Sequence, residues 1–369
     1  MHSDELGAWL RLLGTPGIGR AHARKLLLAL GTPDQVLSAP LNALSAVVGD
    51  RLAQAMRKHD ASAVQHTLES TLQWLASDPS KAVVTLGDPD YPPALLQTDD
   101  PPLMLYIHGQ AAALRHATAI AMVGSRNPTP QGAENARAFA RALSDAGVCV
   151  VSGLALGIDG AAHEGALAGR TATVAVVATG LDRVYPKQHH ALARRIAEQG
   201  ALVSEYPIGT GPLAGHFPQR NRIIAGLSRA TLVVEAALAS GSLITAEQAL
   251  QMGRDVLAIP GSIHSPQSKG CHTLIRQGAK LVESVEHVLE ELQGSTGLLF
   301  AHADEAGTAT HDQGCAVTQA LGFDPCSLDD VQARTGLDTP TLQARLLELE
   351  LDGAVTRLPG GLFQRRVST

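Results

Sequence analysis

Thr118-Ala119-Ile120-Ala121-Met122-Val123-Gly124-Ser125-Arg126-Asn127-Pro128-Thr129, with Gly132 opening a helix just beyond, is the stretch that decides the fold. An apolar run with no polar alternation reads as a strand covered on both faces, as in a parallel sheet. The loop after it falls where open α/β sheets hold their ligands. Gly124 would let the backbone approach an oxyanion, Ser125 offers a hydroxyl and an N–H, and Arg126 supplies a planar fork suited to phosphate. The loop is neither GxGxxG nor GxxxxGK[ST], so it is neither a dinucleotide fingerprint nor an ATP-hydrolysing P-loop. A plain turn with one surface arginine is the weaker alternative, because Gly, Ser and Arg coincide at one strand end.

Around this unit the pattern repeats. Apolar runs at 118–123, 148–152, 173–178, 201–204, 230–234, 255–259 and 279–282 alternate with helical stretches near 132–146, 157–169, 189–199, 219–227, 242–253, 272–277 and 284–292. Such alternation predicts a doubly wound parallel sheet, an extended Rossmann-like α/β domain over 80–292. Residues 1–75 read as an all-helical domain, with Leu6, Trp9, Leu10 and Leu13 at helical spacing. There Gly14-Thr15-Pro16-Gly17-Ile18-Gly19 resembles the turn of a helix-hairpin-helix or SAM-like domain. Its N–H groups could hold a phosphate; a plain packing turn is an equally good reading. Residues 293–325 lack any period and read as a linker. Residues 326–369 predict a winged helix, with helices at 328–335 and 340–351 and a hairpin wing at 353–366. The second of these helices sets Glu348 and Glu350 against Arg345, which suits docking or regulation better than phosphate.

The chain of 369 residues is 45% hydrophobic, enough for two or three cored domains. No apolar run approaches the roughly 20 residues of a membrane helix. The start Met1-His2-Ser3-Asp4-Glu5 has no signal-like core, so a cytoplasmic location and no membrane partner are expected. Cys149, Cys271, Cys315 and Cys326 form no CxxC pair and read as free thiols, with no metal and no cofactor expected. A net charge of −6 argues against a uniformly basic nucleic-acid binder. Residues 120–290, however, hold 15 Lys and Arg against 13 Asp and Glu, so a phosphate-binding surface would be a local cluster there. Aromatic residues at 3% leave base stacking to one or two side chains.

The remaining loops continue the theme. In Ser152-Gly153-Leu154-Ala155-Leu156-Gly157-Ile158-Asp159-Gly160-Ala161-Ala162-His163, Asp159 and His163 share a helix face. A capping and orienting hydrogen bond fits them better than an acid–base pair, since no nucleophile with a third partner is evident. No catalytic residue, and hence no enzyme, is expected. The loop 180–187 offers Tyr185 for stacking and Lys187 for phosphate. In Phe217-Pro218-Gln219-Arg220-Asn221-Arg222 two cations open an apolar helix, against its dipole. One arginine is therefore expected to serve phosphate and the other an internal carboxylate, Glu205 or Glu235. Gly241 and Ser242 form another small-residue helix entry with free N–H groups, and Pro260-Gly261 and Gly270-Cys271-His272 complete the set. Several such loops along one sheet edge suit a multi-phosphate ligand better than a small metabolite.

In order, these segments resemble the DNA-processing protein A (DprA or Smf) family: VGSRNPTPQG at 123–132, SGLALGIDGAAH at 152–163, GLDRVYP at 180–186, SEYP at 204–207, FPQRNRIIAGLS at 217–228, VVEAALASGSLITA at 233–246 and LIRQGA at 274–279. The resemblance implies a Rossmann-like domain that binds single-stranded DNA and forms a homodimer. It further implies protection of incoming DNA and loading of the RecA recombinase during natural transformation. By position it implies DNA contacts at Arg126 and Lys187, with Ser125, Arg220 and Arg222 nearby. The expected DNA-binding set is thus Gly124, Ser125, Arg126, Lys187, Arg220, Asn221, Arg222, Gly241 and Ser242. His189 and His272 stand where the family commonly has Asn, which alters local hydrogen bonds. The alternative is a nucleotide phosphoribohydrolase of the lysine-decarboxylase-like Rossmann group, whose PGGxGT-type loop would fall on Ser240–Glu247, where the glycine pair is absent.

Overall fold

A computed structural model describes residues 3–58, 62–293, 316–322 and 325–365. Most of the expected linker, including Cys315, and the end of the expected wing lie outside these residues.

Nine strands form one sheet: β1 (Lys81–Thr85), β2 (Met104–Gly109), β3 (Ala119–Val123), β4 (Cys149–Ser152), β5 (Thr173–Val177), β6 (Ala201–Ser204), β7 (Ala230–Val233), β8 (Asp255–Ala258) and β9 (Lys280–Leu281). Their order is β1-β2-β6-β5-β4-β3-β7-β8-β9. From β3 to β9 every neighbouring pair is parallel, and each expected apolar run is a strand. Alternate residues of a strand point to opposite faces, and β3 shows why its run is unbroken. Ile120 and Met122 pack with Ala136, Ala140 and Leu143 on one face, while Ala121 and Val123 pack with Ile223, Ile224 and Ala246 on the other. The chain order reverses between β3 and β7, which makes the gap between their C-terminal ends the switch point of the sheet.

Strands β1 and β2 extend the sheet beyond the expected runs. They pair antiparallel, and β2 is antiparallel to β6. Leu105 and Ile107 of β2 enter the main core. Met104 and Tyr106, on its other face, pack with Leu6, Trp9 and Leu10 of the helices between Ser3 and Ala76. The helical domain therefore shares a core with the sheet edge, and Trp74 meets the Tyr106 ring edge-on at 6.0 Å.

In the C-terminal part, β10 (Cys326–Ser327), β11 (Val355–Leu358) and β12 (Leu362–Arg365) form a three-stranded sheet with helices Leu328–Thr335 and Thr339–Leu351. Ser327 and Asp330 make a capping box at the first helix, and Gly336 ends it in the left-handed region. A further helix, Ala316–Leu321, falls inside the stretch expected as linker; Val317 and Leu321 join Val331, Leu342, Leu346 and Phe363 in this core. Six residues are too few for a helical period to show in the sequence.

Candidate anion-binding cleft at the sheet switch point

The loops after β3 and β7 open a cleft of about 830 Å³, lined among others by Ser125, Arg126, Tyr185, Phe217, Asn221 and Ser242. Its walls are fixed by short hydrogen bonds. The Ser125 N–H donates to the Glu235 carbonyl at 2.7 Å, and the Ser125 carbonyl accepts from Ile158 N–H at 3.1 Å. The Ser125 hydroxyl accepts from Asn127 N–H at 3.1 Å. The Ser125 backbone N–H, expected to face a ligand, is thus spent inside the protein. Gly124 also differs from expectation: a Cβ there would lie 2.6 Å from Ile158 and 2.9 Å from the Glu235 carbonyl. It admits the neighbouring chain, and it also lines the cleft.

Glu235 is committed as well. Its carboxylate accepts from the Thr129 N–H at 2.9 Å and the Thr129 hydroxyl at 2.6 Å. Thr129 in turn caps helix Pro130–Asp145 by accepting from Gly132 N–H. Burial pushes the Glu235 carboxyl above its usual range, against the pull of the Thr129 bonds.

Arg126 is exposed. Its guanidinium carbon lies 5.7 Å from the Phe217 ring centre, a cation–π contact, and Tyr185 packs against Phe217 at 5.7 Å. Among the described residues no carboxylate lies within ion-pair distance of it. Tyr185 is about half exposed, at 48%. Lys187 is exposed one residue beyond Pro186, which lines a smaller adjoining depression with Arg126, Tyr185 and Phe217. Gly241 and Ser242 line the main cleft, and Asn221 donates weakly to the Gly241 carbonyl at 3.4 Å. The Ser242 N–H donates to Ser240 Oγ at 3.3 Å, so that helix entry is partly closed on itself.

The two arginines of helix His216–Leu227 part company. Arg220 is buried under the cleft floor and donates to the carbonyls of Gly153 and Val176. Burial lowers its guanidinium to about 10, although Asp159 nearby supports the charge. It adds positive field beneath the cleft, while Nη1 is spent on carbonyls. Arg222 does not line the cleft: its guanidinium binds the Glu205 carboxylate and, through Nη1, the Asp100 carbonyl at 2.8 Å. Of the two expected carboxylates, Glu205 is the partner and Glu235 is not.

The expected hydrogen bond between Asp159 and His163 is not formed. Asp159 accepts from Gly153 and Ala155 N–H groups at 3.1 and 3.2 Å, while the His163 Nδ1 pairs with the Thr173 hydroxyl at 2.9 Å. Asp159 thereby holds the turn in which Leu154 takes a left-handed φ of 57°. His189 Nδ1, meanwhile, meets the Leu154 carbonyl at 3.0 Å. Burial, reinforced by the His189 and Arg220 charges, lowers His163 to about 3 and keeps it neutral.

Gly157 shows how tightly the two loops nest. Its φ is +83°, and a Cβ would stand 2.3 Å from the Ser125 carbonyl oxygen. Gly157→Ala is expected to cost about 1–3 kcal/mol of stability and to weaken ligand binding by displacing residues 125–126. Thermal melting and affinity measured together check it; an unchanged melting temperature would contradict it.

The sequence did not single out Phe217, Asp100 or Gln267. Phe217 supplies the face under Arg126, Asp100 binds Arg222 and the N-terminal arginines, and Gln267 donates to the Asn127 carbonyl at 3.2 Å. An aromatic residue three positions before Arg220 was the one available signal.

Residues 82–293 match the family described as DNA recombination-mediator protein A. The chain belongs to this family. Residues 301–361 match the DprA winged helix domain, of which 301–315 and 323–324 lie outside the described residues. The chain is similar to protein Smf of Escherichia coli K12, 42% identical over 306 residues and covering 81% of each chain. Among solved structures, DNA processing protein A from Streptococcus pneumoniae is 36% identical with a TM-score of 0.67, over 77% of this chain and 96% of that one. DNA processing protein A from Helicobacter pylori, described for its unique single-stranded DNA binding mode, is 31% identical with a TM-score of 0.53, over 57% and 95%. Glu247, which ends the stretch named for the enzymatic alternative, is exposed and is not among the residues that line the cleft.

Proposed function

We propose that the cleft between the β3 and β7 loops binds the backbone of single-stranded DNA. The observation that carries this is Arg126: an exposed guanidinium at the switch point, resting on an aromatic face, with no carboxylate in ion-pair reach among the described residues. A guanidinium without an internal partner keeps its donors for a phosphate, and Tyr185 beside Phe217 offers a face on which a base can stack. Arg220 adds charge from below, and Lys187, Gly241 and Ser242 extend the contact. Arg222 acts through the fold instead. The protein acts in the cytoplasm as a binder without catalysis of its own. It protects incoming strands and hands them to the RecA recombinase during natural transformation, as a homodimer through the Rossmann-like domain. The similarity to the Helicobacter pylori protein supports the choice of ligand. Among the described residues no helix is long and apolar enough to cross a membrane.

Such a site reads phosphate rather than base edges, so binding is expected to be independent of sequence and to weaken steeply with salt. Titration of poly-dT and mixed-sequence strands at two salt concentrations tests this; a strong preference for one sequence, or indifference to salt, contradicts the reading. Removal of residues 294–369 is expected to leave this affinity nearly intact, because helix Thr339–Leu351 carries Glu348 and Glu350, with Arg345 paired to Glu348 at 2.7 Å. A collapse of affinity in a truncated chain that still melts cooperatively would transfer the site to the winged helix.

A further inference from the structure

A second cavity, of about 470 Å³, lies away from the cleft where the N-terminal helices meet the sheet edge. That volume suits a small organic ligand, and junctions between domains are where such sites concentrate. Leu10, Leu13, Ile18 and Val64 line it from the helical side and Leu103 and Met104 from the sheet side. Arg20, Glu205 and Tyr206 supply its polar lining.

The charges there do not cancel. Arg20 binds Asp100 at 2.9 Å and lies 3.5 Å from Glu205. Arg24 binds Asp100, and Arg222 binds both carboxylates. Burial by itself would raise the Asp100 carboxyl; the Arg24 hydrogen bond and the Arg222 and Arg20 charges outweigh it and hold the group below its usual range. Three guanidiniums thus share two carboxylates, leaving one positive charge uncompensated within the cluster. Arg20 is the most exposed of the three, its side chain at 32% against 20% for Arg24 and 9% for Arg222, and it lines the cavity.

We propose that this cavity binds an organic anion with an apolar body and a single acidic head, the body between Leu13, Val64 and Met104 and the head at Arg20. Apolar walls alone would take a neutral guest; the unbalanced guanidinium selects an anionic one. Because the walls come from both the helices and the sheet edge, an occupant stabilises their joined arrangement.

The full-length protein is titrated with anilinonaphthalene sulfonate and, separately, with phenylnaphthylamine, which has the same rings without the sulfonate. One saturable site is expected for each probe. Thr67→Trp, at a cavity-lining position, should abolish both signals. Gly19→Phe, where a Cβ meets nothing within 4 Å, replaces it if that variant does not fold. Arg20→Gln should weaken the sulfonate about tenfold and leave the neutral probe unchanged, which also shows that the cavity is intact. The proposal is overturned by absence of saturable binding, by sulfonate binding that survives cavity filling in a folded variant, or by equal weakening of both probes in Arg20→Gln.

Discussion

Arg126→Ala lowers the affinity for single-stranded DNA roughly tenfold to hundredfold, with the melting temperature unchanged. The magnitude follows from one charged hydrogen-bonding contact, about 1.5–3 kcal/mol, at a factor of ten per 1.4 kcal/mol. The fold is spared because the guanidinium rests on Phe217 at the surface and holds no buried acid in place. Both carboxylates that could have claimed it are occupied, Glu205 by Arg222 and Glu235 by Thr129. Arg126→Lys recovers only part of the loss, since an ammonium keeps the charge without the planar fork. Strand affinity and melting temperature are measured for both variants. Unchanged affinity together with a large fall in melting temperature would make Arg126 a structural residue and remove the main support for the proposed site.

Arg222→Ala has the opposite signature: it destabilises the protein by about 3 kcal/mol, and whatever remains folded binds DNA nearly as before. The guanidinium is 9% exposed and joins Glu205, itself 12% exposed, to Asp100 at 3.3 Å. Removing one member of such a buried network leaves acids without their cation, a loss of about 3–5 kcal/mol. The lower end applies because Asp100 is one-third exposed and keeps Arg20 and Arg24. The network also sets a pH dependence. Asp100 has its folded-state pKa held below its ordinary value, so its contribution is present at neutral pH. That contribution is lost as the pH falls below about 3.9 and through the folded value. In Arg222→Ala this acid-side loss is smaller. Denaturant titrations at neutral and acidic pH measure both effects; wild-type stability with strongly reduced strand affinity would instead place Arg222 at the DNA.

The contrast between these two residues shows where sequence reasoning stops. Two cations at a helix start called for an anionic reason, and a division between them was foreseeable. Residues two apart on a helix lie about 200° apart around its axis, so Arg220 and Arg222 had to face different surroundings. Which faced what depended on Asp100, 122 residues away, and on the turn at Gly153, 67 residues away. Asp159 and His163 teach the same lesson: helical spacing permitted their contact, but the backbone of Gly153 and Ala155 competed for the carboxylate and won.

The sequence by itself determined the seven parallel strands, the loops at their ends and the position of Arg126 on the edge of the sheet. These rest on local rules: unbroken apolar runs bury on both faces, and a glycine-bearing turn separates each strand from β3 to β8 from its helix. Only the tertiary structure decided that β1 and β2 flank the sheet antiparallel, since β1 is only partly buried, β2 divides its side chains between two cores, and such strands are defined by their partners rather than by their own pattern. Only the tertiary structure put Phe217 beneath Arg126 and closed the Ser125 and Glu235 groups on one another. Hydrogen-bond partners and ring contacts are set by which chain segments meet in space, and no period within a single segment encodes that meeting.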